Sequence, residues 1–255
     1  MPLINLNDQQ LFYAARALDR RPVILLIHGA AGSHLDWPPQ LRFIEGMGDC
    51  AVDLPGHGRS AKPGRASVSA YADDVLALVE TLNLTEIVIV GHSMGGAIAM
   101  EIALRRPVEI VALVLVATGA RLRVNETILD LVTDDYEQVV EFVTALAWGE
   151  DAPPETVGRG RAMMMECDPT AVEQDYMACN DFDVMADIGS LTIPTLVLTG
   201  SEDQLTPPKY GRFLAENIPG AEYVAIDDAG HMLAQERPDE VAHAIIDFTR
   251  RRLKH

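Results

Sequence analysis

Ile87-Val88-Ile89-Val90-Gly91-His92-Ser93-Met94-Gly95-Gly96 runs from four consecutive aliphatic residues into a serine enclosed by glycines. The aliphatic run has no polar alternation, the pattern of a strand covered on both faces. Helical spacing of apolar residues starts at Met94 and continues to about Arg105. A serine held at a sharp strand-to-helix corner needs small residues two positions before and after it, because the backbone is crowded there. Gly91 and Gly95 meet that need. The first helical amide, that of Met94, then points at negative charge developing beside Ser93. A phosphate-binding reading fits less well: Ser93 stands where a GxGxxG loop has its second glycine, and no Walker lysine is present.

Similar strand-like runs recur on either side: Val23–His28, Asp49–Asp53, Glu86–Val90, Val111–Ala117, Pro194–Gly200 and Glu222–Asp227. A hairpin across residues 2 to 17, turning near Asn7-Asp8, precedes them. Helical patterns at 67–83, 94–105, 208–217 and 237–253 separate the runs. The sum is a doubly wound, mainly parallel α/β sheet of eight strands. Between about 120 and 190 the rhythm breaks into short helices with no convincing strand, an insertion over one edge of the sheet.

A serine hydroxyl becomes a useful nucleophile only when a base takes its proton. His231 is the candidate, in Asp228-Ala229-Gly230-His231-Met232 just after the last strand. Asp203 follows the strand ending at Gly200 and is the candidate carboxylate that fixes the imidazole, with Glu202 its adjacent competitor. The chain order is then Ser, Asp, His. The loop His28-Gly29-Ala30-Ala31-Gly32 follows Val23–Ile27, and the Ala30 amide is the natural second oxyanion donor beside that of Met94.

Composition narrows the function classes. A formal charge of −18 repels phosphate backbones and anionic leaflets, which argues against nucleic-acid or membrane partners. Cys50, Cys167 and Cys179 are odd in number and form no CxxC pair, which suits free thiols. No signal-peptide pattern opens the chain and no apolar run could span a bilayer, so a soluble protein of the cytoplasm, monomer or homodimer, is expected. No cluster of His, Cys and Asp has metal-ligand spacing, and the chemistry asks for no cofactor.

Together, the His28–Gly32 loop, Asp53-Leu54-Pro55-Gly56-His57-Gly58-Arg59-Ser60, the 91–96 corner, and the pair Gly200–Asp203 and Gly230-His231 resemble the α/β-hydrolase superfamily. The resemblance implies a core of 1–119 and 189–255 with a helical cap at 120–188. It also implies a substrate pocket between corner and cap, for which Leu35, Trp37, Trp148, Met164, Met177 and Leu205 are the apolar candidates. Ser93 sits where dehalogenases and epoxide hydrolases of this fold carry Asp, so those activities are not expected. The expected function is cleavage of an ester-type bond in a small, hydrophobic molecule through an acyl-enzyme. Carbon–carbon cleavage, lactone opening and peracid formation use the same triad and stay open. A small-molecule receptor role also stays open, with the acids Glu126, Asp130, Asp134, Asp135, Glu137 and Glu141 of the cap as a partner surface.

Overall fold

The computed structural model describes residues 2–6, 9–105 and 109–253. The chain opens with β1 (Leu3–Leu6) and β2 (Gln9–Arg16), paired antiparallel; the turn expected at Asn7-Asp8 lies outside the described residues. Then come β3 (Val23–Ile27), a 3-10 turn (His34–Asp36), α1 (Pro39–Arg42), β4 (Gly48–Val52), α2 (Val68–Thr81), β5 (Ile87–His92), α3 (Met94–Leu104) and β6 (Ile110–Val116). Four helices follow: α4 (Glu126–Leu131), α5 (Tyr136–Ala147), α6 (Pro154–Met165) and α7 (Pro169–Asp181). The chain closes with β7 (Thr195–Gly200), α8 (Pro208–Asn217), β8 (Glu222–Ile226), α9 (Leu233–Glu236) and α10 (Pro238–Arg252).

The eight strands form one sheet in the order β1-β2-β4-β3-β5-β6-β7-β8. β2 runs antiparallel to both neighbours, and every pair from β4 to β8 is parallel. Val23, Leu25, Ile27, Ile87 and Ile89 enter the core shared with α2 and α3. Ile24, Leu26, Val88 and Val90 enter the core under α10. Both faces of the strands are therefore apolar, which is why their sequences run continuously rather than alternate. Burying each such side chain contributes about 1.5–3 kcal/mol, more than a typical loop hydrogen bond, so these central strands fix the frame on which the loops are mounted. β5 extends through Gly91 and His92, past the aliphatic run, because those two residues pair with Leu115 and Val116 of β6. The sequence pattern misses α1 and α9, four residues each and too short to display a helical period.

The strand order creates one decisive place. From β3 the chain moves to β4 on one side, and β5 lies on the other, so the loops leaving β3 and β5 diverge and leave a crevice at the sheet's C-terminal edge. Ile27 is in register with Gly91, which sets His28 abreast of His92 at that crevice. The four helices between β6 and β7 sit over it. Their two crossings to the core are joined by the Val184 N–H to Ala120 carbonyl bond of 2.8 Å and a bridge between Arg121 and Asp183. They share a small core of Ile128, Val132, Val139, Val172 and Tyr176, against which Ala30 and Ala31 pack. Among the described residues no helix is long and apolar enough to cross a membrane.

His28 and His92 are both buried, and burial pushes their pKa values down to about 4 and about 3, helped by His57 beside the first and His231 beside the second. The folded chain keeps both neutral where the unfolded chain, titrating near pH 6.5, binds protons. Stability is therefore lost as pH falls from 6.5 towards 4, by about 1.4 kcal/mol per pH unit for each ring. Asp36, whose carboxyl is pushed up to about 6 chiefly by burial, works in the opposite sense below pH 6. Urea unfolding followed between pH 7 and 4 should show a declining midpoint, and a shallower decline in His92→Asn. Equal slopes in the two proteins would rule out His92 as a source of the acid sensitivity.

Candidate active site

At the β5–α3 corner Ser93 has φ +54° and ψ −118°, a backbone conformation that costs free energy and persists only when its surroundings impose it. They do. A β-carbon on Gly91 would overlap the Gly95 carbonyl, and one on Gly95 would overlap the carbonyls of Ile27 and His28. The Ser93 N–H donates to the Val116 carbonyl (2.9 Å), and Thr118 Oγ1 donates to the Ser93 carbonyl (2.8 Å). The serine is thus pinned between three strands while its side chain borders a cavity of about 480 Å³.

His231 borders the same cavity, on the loop between β8 and α9. Its Nδ1–H donates to Asp203 Oδ2 at 2.9 Å, which leaves Nε2 as the ring's proton acceptor. Asp203 is locked by the Leu205 and Thr206 amides on Oδ1 (2.9 and 2.8 Å) and by the Thr206 hydroxyl on Oδ2 (2.8 Å). Thr206 Oγ1 also lies 3.1 Å from His231 Nδ1. Burial alone would raise the Asp203 carboxyl, but the His231 ring and the Thr206 bonds outweigh it and hold the group below the usual carboxylate range. Glu202 turns the other way and accepts from the Glu150 amide at 2.7 Å, so Asp203 alone of the two reaches the imidazole. Among the described residues, no hydrogen bond joins Ser93 Oγ to His231 in this arrangement; such bonds often tighten only when substrate is bound. The two are brought close through His92, whose ring stands 4.7 Å from that of His231 and whose Nε2–H donates to the His231 carbonyl (3.0 Å).

Ala30 lines the cavity on the loop after β3, opposite the start of α3, where Met94 supplies the first amide. Among the described residues neither amide is engaged in a hydrogen bond, so both N–H groups remain available to an oxygen at Ser93.

Three of the six expected pocket residues, Trp148, Met164 and Leu205, line the cavity. The other three do not. Leu35 is 66 % exposed and Met177 52 % exposed, while Trp37 is buried in the core beneath α10. The 3-10 turn explains the first and last: it sends Trp37 inward and Leu35 outward, and presents Asp36 to the cavity instead. On α7 the inward face is set by Val172, Asp175, Tyr176 and Cys179, leaving Met177 on the opposite side. Phe142, Val143, Leu146 and Tyr210 were not expected from the sequence and, with Met163, complete much of the apolar wall. Of the cap acids, Asp135 caps α5 through the Gln138 amide (3.1 Å), while Glu137 and Glu141 pair with Arg161.

Glu236 was also not foreseen. From α9 it accepts the amides of Gly149, just after α5, and of Gly230, just before His231, at 2.9 and 3.1 Å. The Met232 amide adds a bond to the Ala147 carbonyl (3.1 Å), so the histidine loop is fastened to the end of α5. Burial raises the Glu236 carboxyl, and the two amides only partly offset it. Glu236→Ala would leave two buried amides unpaired and should lower stability by about 2–4 kcal/mol, with Glu236→Gln intermediate. Urea unfolding of the three proteins measures this; an alanine variant as stable as wild type would rule the fastening out.

The chain is similar to known proteins over most of its length. Residues 24–244 match the model of the alpha/beta hydrolase family. RutD of Agrobacterium fabrum, provisionally named a carbamate hydrolase, is 31 % identical over 247 residues, covering 89 % of this chain and 92 % of that one. A thermophilic esterase from Thermogutta terrifontis superposes with a TM-score of 0.91 at 26 % identity, over 100 % of both chains. The enol-lactonase from Burkholderia xenovorans LB400 superposes with a TM-score of 0.91 at 25 % identity, over 97 % of this chain and 99 % of that one. With a single family model spanning most of its length, the chain belongs to the alpha/beta hydrolase family.

Proposed function

We propose that the chain is a serine hydrolase that cleaves an ester-type bond in a small, largely apolar molecule through an acyl-enzyme on Ser93. The observation that carries this reading is His231, paired with Asp203, bordering the same cavity as a serine held in a strained strand-to-helix corner. In the proposed mechanism His231 takes the Ser93 proton as Oγ attacks the acyl carbonyl, and Asp203 stabilises the imidazolium that forms. The oxyanion accepts from the amides of Ala30 and Met94. His231 then protonates the leaving alkoxide, and water repeats the sequence to release the acid.

The cavity's volume is within the range of small-molecule sites, and its wall of Ile128, Phe142, Val143, Leu146, Trp148 and Met164 favours an aliphatic or aromatic acyl group. The esterase and the enol-lactonase are both similar to this chain over nearly its whole length. An open-chain ester is the first reading, and a lactone, an internal ester opened by the same steps, is the second. Three unpaired thiols support a location in the cytoplasm.

Hydrolysis of p-nitrophenyl esters from acetate to decanoate, together with a set of lactones, tests this. Ser93→Ala should lose at least about 10³-fold in kcat, and Asp203→Asn about 10³–10⁴-fold. Ester turnover that survives in Ser93→Ala would refute the proposal, and turnover of lactones alone would select the second reading. Trp148 lines the cavity and backs onto Gly160 of α6, where a β-carbon would lie 2.5 Å from its ring. Trp148→Ala should move the optimum to longer acyl chains, whereas an unchanged chain-length profile would place the acyl group elsewhere.

A further inference from the structure

Asp175 lies on α7, is fully buried, and does not border the cavity beside Ser93. Its carboxylate nevertheless receives three hydrogen bonds from three separate parts of the core. Oδ2 accepts the Ala31 amide at 3.0 Å and His57 Nε2–H at 2.7 Å, and Oδ1 accepts the Tyr71 hydroxyl at 2.6 Å. The other nitrogen of His57 donates to the Pro55 carbonyl at 2.9 Å. Both ring nitrogens therefore face acceptors, the arrangement of an imidazolium. Burial would discharge His57, but Asp175 outweighs burial and raises its pKa. A buried charge pair of this kind is held in place strongly, because separating it strands a charge in a medium that cannot solvate it.

Ala31 is the residue that makes this pair matter. It has φ +55°, a left-handed conformation that costs an alanine about 1–2 kcal/mol. Both of its polar backbone atoms are bonded to the helical insertion. Its N–H meets Asp175, and its carbonyl accepts from Cys167 Sγ, between α6 and α7, at 3.2 Å. Ala30, its neighbour, carries the amide assigned to the oxyanion. The Gly32 N–H to Gly29 carbonyl bond (3.2 Å) closes the turn around Ala30 and Ala31. The two bonds to the insertion fix Ala31 within that turn; without them the adjoining peptides would be freer to swing.

We propose that Asp175 is a positioning residue for the oxyanion hole: it reaches from the cap to hold Ala31 in the conformation that aims the Ala30 amide at the reacting oxygen. This rests on the reading of Ala30 as an oxyanion donor. It makes α7 a fixed part of the catalytic apparatus rather than a lid, since lifting α7 would release Ala31. Tyr71 and His57 serve the clamp by orienting the carboxylate.

The test compares wild type, Asp175→Asn and Tyr71→Phe as full chains. Loss of one oxyanion donor typically costs about 10²–10³-fold in rate, and a loosened donor costs less. Asp175→Asn should lose about 10–100-fold in kcat with KM within about threefold, and Tyr71→Phe should lose less in the same direction. Affinity for an alkyl trifluoromethyl ketone, whose adduct on serine carries the oxyanion, should fall by the same factor as kcat. Exchange of the Ala31 amide with deuterium, followed by NMR, should accelerate in both variants while the Val88 and Val90 amides stay protected. Wild-type kcat and ketone affinity in Asp175→Asn would overturn the proposal, as would unchanged Ala31 exchange. If Asp175→Asn does not fold, the same outcomes in Tyr71→Phe decide. If wild type turns over no ester, it is the functional reading that has failed. The Ala31 exchange rate then judges the clamp alone.

Discussion

Where β5 turns into α3, the backbone at Gly95 approaches the carbonyls of Ile27 and His28 so closely that no side chain fits between them. The same crowding holds Gly91 against Gly95 and leaves Ser93 with φ +54°. The proposed catalytic arrangement depends on this close approach of β5 to β3. It exists because the sheet reverses its winding between those two strands, so that one loop leaves β3 and one helix leaves β5 at adjoining points. The loop provides Ala30, the helix provides Met94, and the corner between them projects the serine. The strain is sustained by aliphatic side chains buried on both faces of the central strands, which give the corner no room to relax.

The remaining chemistry is assembled by two other strand ends and held by the insertion. β7 and β8 are neighbours, so the loops that carry Asp203 and His231 leave the sheet side by side. The end of α5 is tied to the histidine loop through Glu236, and α7 reaches the loop after β3 through Asp175. The helices between β6 and β7 therefore touch both halves of the site as well as enclosing the cavity above it. This arrangement places the cap's buried polar residues, rather than its acidic surface, in the path between sequence and activity. The surface acids Asp135, Glu137 and Glu141 are occupied with capping α5 and with pairing to Arg161.

Much of this was legible in the sequence, and for identifiable reasons. Continuous aliphatic runs marked the parallel strands, because burial on both faces suppresses alternation. Gly91 and Gly95 marked the corner because sterics tolerate nothing else there. Asp203 and His231 were legible because each follows a strand at its C-terminal end. The pocket was legible only in part. Whether Leu35 or Asp36 faces the cavity depends on the rotation of a three-residue 3-10 turn, which leaves no periodic trace. Met177 looked like an apolar contact, but the face of α7 that turns inward is chosen by Val172, Tyr176 and a buried aspartate that hydropathy would place outside. Thr206 left a readable signal, an Asp followed three residues later by Thr, the spacing of a side chain bonding its own turn. Asp175 and Glu236 left none, since the Ala31 and Gly149 amides that they accept are 144 and 87 residues away in the chain and become neighbours only after folding.

The central claim is that Ser93 carries the acyl group between the two halves of the reaction. Rapid mixing of the enzyme with p-nitrophenyl butyrate, acid quenching within milliseconds and mass analysis of the intact and digested protein tests it most directly. The account predicts a burst of p-nitrophenolate approaching one per chain, an intact mass increased by one butyryl group, and that group on the peptide containing Ser93. Turnover with no acylated protein at any quench time, or a butyryl group on a residue other than Ser93, would contradict it.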